Sequence, residues 1–60
     1  MRTNYYLNGK KITKKKLTEM LGADRVKRIT DCAKEGFRED PNEELDFFLG
    51  TKGMLNIQFS

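Results

Sequence analysis

Histidine and tryptophan are missing from these 60 residues, and cysteine and proline occur once each. Without histidine, the usual general base near neutral pH is missing. A Cys–His nucleophile cannot be assembled around Cys32 either. One cysteine forms no disulfide within a chain, and without a second thiol or an imidazole a tetrahedral zinc site lacks its ligands. An unpaired thiol suits a reducing compartment. Long apolar runs are also lacking: nothing resembles a signal peptide, and no stretch approaches the ~20 apolar residues of a membrane span. The expectation is a cytoplasmic protein that is not an enzyme, uses no cofactor or metal, and does not enter a membrane.

Length narrows the reading further. Sixty residues make a single small domain, 1–60, which buries only about 60% of the surface its unfolded chain exposes. Charged residues are 35% and hydrophobic ones 37%, a balance that fits a folded domain rather than a disordered tail. Domains this small rely on disulfides, a metal, idealised packing or a partner subunit. With the first two excluded, a homodimer is expected.

The net charge of +3 is unevenly distributed. Residues 1–34 carry ten Lys/Arg against Glu19, Asp24 and Asp31, whereas residues 35–60 carry Arg38 and Lys52 against six carboxylates. Such a bipolar chain can offer its front half to an anionic partner or pair head to tail with itself.

Read in order, Thr3–Leu7 is rich in β-formers and runs into Asn8-Gly9, the strongest short hairpin signal, with a return strand at Lys10–Ile12. Alternation sets Tyr5 and Leu7 on one face and Asn4 and Tyr6 on the other. Thr13 reads as an N-cap, with Ile12 and Leu17 at the two positions of a hydrophobic staple. Leu17, Met20 and Leu21 give that helix one apolar face, and Gly22 suits its end. Asp24 is expected to cap a second, longer helix whose stripe is Val26, Ile29, Ala33 and Phe37. That stripe carries the helix through Gly36, at a cost of about 1 kcal/mol relative to alanine.

Asp40-Pro41-Asn42-Glu43 reads as a capped start with proline at N1. Leu45, Phe48 and Leu49 then recur at helical spacing, so a third short helix is favoured. The competing reading is a strand over 45–49 turning at Gly50-Thr51-Lys52-Gly53. Met54–Phe59 closes as a strand with Leu55, Ile57 and Phe59 inward and Asn56 and Gln58 outward. The fold class expected is α+β: an N-terminal β-hairpin, two to three helices, and a C-terminal strand completing a small antiparallel sheet. The predicted core is Tyr5, Leu7, Ile12, Leu17, Met20, Leu21, Val26, Ile29, Ala33, Phe37, Leu55, Ile57 and Phe59, with part of 45–49. Tyr6, one of the Phe47/Phe48 pair and Met54 are left over, and exposed apolar groups mark interfaces. Tyr6, Phe47, Phe48 and Met54 are therefore the candidate oligomer or partner interface.

Tyr5-Tyr6-Leu7-Asn8-Gly9-Lys10-Lys11-Ile12-Thr13, and the closing Gly53-Met54-Leu55-Asn56-Ile57-Gln58-Phe59, resemble the two ends of short proteins carried by phages and mobile elements of Gram-positive bacteria. The resemblance implies a genetic setting in which small proteins bind and inhibit or modulate host proteins, including defence systems. It implies no active site.

The lysines carry the second signal. Lys14, Lys15 and Lys16 occupy N1 to N3 of the first helix, where the macrodipole favours acids, and each misplaced cation costs about 0.3–1 kcal/mol at low salt. Lys10 and Lys11 adjoin them, and Arg25, Lys27 and Arg28 follow Asp24 in the same way. These eight are the candidate anion- or partner-binding set; the alternative is that they are simply solvated. Tyr5 and Tyr6 could stack on bases beside them. Against a nucleic-acid binder stand a pI of only 9.2, the acidic C-terminal half and the lack of a known nucleic-acid motif. The acidic series Glu39, Asp40, Glu43, Glu44, Asp46 does not match a calcium loop, and Gly50–Gly53 lacks a phosphate-loop register. The leading expectation is a protein-binding accessory module acting on a host protein as a homodimer; the alternative is a small basic nucleic-acid binder using the Lys10–Lys16 region.

Overall fold

The computed structural model describes residues 2–60. Strand β1 (Thr3–Leu7) turns back into β2 (Lys10–Ile12) through Asn8 at φ 53° and Gly9 at φ 85°, the paired positive φ of a type I′ turn. Helix α1 (Lys14–Leu21) follows at once, and its cap is the expected one: Thr13 Oγ1 accepts from the Lys16 N–H at 3.1 Å. Leu17 is fully buried, and Ile12 packs against the same cluster. Gly22, at φ 91°, ends α1 by donating its N–H to the Thr18 carbonyl.

Gly22 also begins α2 (Ala23–Glu39), and there the expectation needs correcting. The cap residue is Gly22 rather than Asp24, which sits inside the first turn. Its charge then acts on the exposed N–H groups as a body charge near the positive helix end rather than as a cap. The helix does pass through Gly36. A Cβ at that position would lie 2.9 Å from Leu45 Cδ2, so the missing side chain is what lets α2 cross the sheet closely.

The third helix does not form. Strand β3 (Leu45–Phe48) takes its place, followed by a 3₁₀ turn at Gly50–Lys52 and β4 (Met54–Phe59). Asp40 serves a turn instead of a helix start, its Oδ1 accepting from the Asn42 N–H at 3.0 Å. A helix over 41–49 would leave the outer edge of β4 unpaired, whereas a strand here pairs that edge from Met54 to Ile57.

All pairings are antiparallel, in the order β2-β1-β4-β3. The two terminal strands are therefore central, and Thr3 opposite Phe59 sets their register. Alternation divides the sheet cleanly. Tyr5, Leu7, Ile12, Leu45, Phe47, Leu55, Ile57 and Phe59 share the face that packs with Leu17, Val26 and Ala33 of the helices. Phe37 stacks on Phe59 with centroids 5.1 Å apart, and the buried Tyr5 hydroxyl shares a 3.0 Å hydrogen bond with Thr30. Leu49 joins the core, while Met20, expected inside, is exposed. It sits on a short helix that makes room for only one fully buried side chain, Leu17.

Candidate functional site

The opposite face of the sheet carries Asn4, Tyr6, Lys11, Asp46, Phe48, Met54, Asn56 and Gln58 by the same alternation. This face is turned away from both helices; Asn4, Tyr6 and Asn56 are half-buried on it, and Tyr6, Asp46, Asn56 and Gln58 line a hollow of about 560 Å³ with Pro41, Glu43 and Glu44. Strand register orders these side chains in rows. The middle row runs from edge to edge as Lys11, Tyr6, Asn56, Asp46, with Asn4 beside Gln58 on one side of it and Met54 beside Phe48 on the other. A chain of amides stiffens the middle: Gln58 Nε2 donates to Asn56 Oδ1 at 3.0 Å, and Asn56 Nδ2 donates to Asp46 Oδ1 at 2.8 Å. The apolar end is open, with Phe48 74% and Met54 43% exposed. Large apolar side chains paired across neighbouring strands and left in water mark a contact surface.

Three of the four apolar candidates lie on this face. Phe47 does not: it points to the helices and is half-buried against the core, so of the adjacent phenylalanines only Phe48 is free to meet a partner. Strand alternation explains the split, since neighbouring residues must face opposite ways.

Five of the eight basic candidates line adjoining hollows. Lys10, Lys11 and Lys16 surround a shallow hollow floored by Leu7 and Ile12. Lys11 and Lys14 line a groove of about 500 Å³ with Thr3, Thr13 and Thr30, and a neighbouring groove of about 380 Å³ adds Lys27 and Thr18. Lys34, absent from the sequence-based set, lines both grooves. Its signal was the spacing Lys27, Asp31, Lys34, three residues on one stripe of α2. Lys15, Arg25 and Arg28 are exposed but line neither groove. Lys27 approaches Asp31 at 3.8 Å; both are largely solvated, so the pair holds little in place. Cys32 is exposed on α2.

Among the described residues no three acidic or thiol groups converge on a point where a metal ion could sit, and no helix is long and apolar enough to cross a membrane. Every buried side-chain polar atom among them has a hydrogen-bond partner, so the interior holds no group waiting for a ligand. What the arrangement offers is surface: a half-apolar sheet face and a set of lysine-lined hollows. No family model matches the chain, and no curated protein or solved structure matches it.

Proposed function

We propose that the chain is a non-enzymatic binding module that docks on a protein through its uncovered sheet face, in a phage or mobile-element setting where it inhibits or modulates a host protein in the cytoplasm. One observation supports this most: Phe48 and Met54 are opposed across β3 and β4 on the face turned away from both helices. A strand residue on that face could have been polar at no cost to the core, as Asn56 and Gln58 are.

The test is capture from a Gram-positive host lysate with the wild-type chain, F48E and M54E, followed by reconstitution with whichever purified protein is retained. A partner held by the wild type and released about tenfold or more readily by F48E supports the reading. Equal retention by all three, with unchanged circular dichroism, removes it.

A second reading has its own support. Lys11, Lys14, Lys27 and Lys34 line two adjoining grooves, and several cations close together are suited to phosphates. If all four engage a nucleic acid, log affinity should fall against log salt with a slope of about −3 to −4. No retention of duplex or single strand at about 50 mM salt would dismiss it.

A further inference from the structure

The middle row of the uncovered face is ordered by charge: a cation on the β2 edge, neutral Tyr6 and Asn56 on the central strands, an anion on the β3 edge. Lys11 and Asp46 are both exposed, and among the described residues neither makes an ion pair within the chain. A surface with a positive edge and a negative edge is complementary to its own reverse.

We propose that the occupant of this face is a second copy of the chain, stacked sheet on sheet about a two-fold axis running along the strands. This deepens the reading of the face as a docking surface and rests on it. Rotation about that axis reverses the strand order, laying β2 of each copy over β3 of the other. Lys11 then meets the second copy's Asp46, twice by symmetry, while Tyr6 lies over Asn56 and Asn4 over Gln58. Phe48 comes to rest over the turn at Gly9, which has no side chain to obstruct it. A two-fold axis across the strands would instead set Lys11 against Lys11 and Asp46 against Asp46, and like charges facing each other exclude that stacking. Packed sheets lie about 10 Å apart with strands inclined at about 30°, a gap that a lysine and an aspartate span together. Four strands at about 4.8 Å and some five residues at about 3.4 Å give each copy a footprint near 19 by 17 Å. That is below the ~800 Å² per partner of a standard interface, so the dimer is a weak one with fast exchange, and a host protein can displace the second copy from the same surface.

Charge reversal tests the pose directly. In sedimentation equilibrium across micromolar to millimolar concentrations, the wild type should exceed its 7.0 kDa monomer mass. K11E and D46K should each raise the dissociation constant about tenfold alone, associate with one another when mixed, and recover self-association when combined in one chain. D46N, which keeps an acceptor for Asn56, serves where the lysine disturbs β3; it should weaken the dimer and, keeping one Lys11–Asp46 contact with K11E, pair with it more tightly than with itself but less tightly than D46K does. A wild type that remains monomeric, or a mixture no better than its components, overturns the pose. Because capture of a host protein is read separately with F48E, a monomeric wild type that still releases its partner on that substitution would leave the docking surface standing and remove only the second copy.

Discussion

Asn8 does two jobs with one side chain. Its backbone takes the positive φ that the hairpin needs, while its amide reaches the far end of the sequence: Oδ1 accepts from the Met54 N–H at 3.0 Å and Nδ2 donates to the Lys52 carbonyl at 3.2 Å. Gly53 is the counterpart, since at φ 104° a Cβ there would fall inside the Asn8 amide. Asn8→Ala should therefore cost about 2–5 kcal/mol, combining an alanine in the left-handed region with two lost hydrogen bonds. For a domain of this size that lowers the melting temperature by some 4–8 °C per kcal/mol, measurable by thermal circular dichroism. Tyr5→Phe strands the buried Thr30 hydroxyl and should cost about 1 kcal/mol in the same assay. At this scale the sequence is half legible. Asn-Gly announces the turn because that chemistry is local, but the partners of the Asn8 amide lie more than 40 residues away, where no local rule reaches.

Elements are legible when their signals are local and redundant. The hairpin, the Thr13 cap, the passage of α2 through Gly36 and the alternation of β4 all follow from neighbouring residues. Leu45–Phe48 fails that test because two local signals conflict: the spacing of Leu45, Phe48 and Leu49 is helical, and the residues themselves are good strand formers. A tertiary fact decides it, the open edge of β4 from Met54 to Ile57. The same event decides which of the adjacent phenylalanines is exposed, because making 45–48 a strand sends Phe47 inward and Phe48 outward. Gly36 probes the crossing of α2 over this strand. Gly36→Ala gains about 1 kcal/mol of helix propensity and spends much of it moving one terminal methyl of Leu45, so its net effect should be within about 0.5 kcal/mol of zero. Gly36→Val cannot be accommodated by one methyl and should destabilise by about 1–3 kcal/mol in urea unfolding.

As a whole the molecule has a thin core and little stability to spare. Leu17, Leu55, Ile57 and Val26 are its largest fully buried side chains. Leu55→Ala should remove about 2–5 kcal/mol, comparable to the ~3–5 kcal/mol that one core of this size supplies, and leave the chain largely unfolded at 37 °C by circular dichroism. Once folded, the chain sets Lys11 on the β2 edge and Asp46 on the β3 edge. Composition disclosed both signs, but only strand order put them on opposite margins of one face. That strand order also has a consequence for time. The central pair joins the two ends of the chain, with Arg2 and Ser60 exchanging backbone hydrogen bonds at 2.6 and 2.9 Å. Nearly the whole chain must be looped before β1 and β4 can meet, and that closure entropy is met before any contact between them repays it. A circular permutant that joins residue 60 to residue 2 by a short linker and opens the chain at 41–44 turns the longest closure into a hairpin. In stopped-flow experiments it should refold faster than the natural order while unfolding at nearly the same rate. The slow step of this small protein would then be the meeting of its ends.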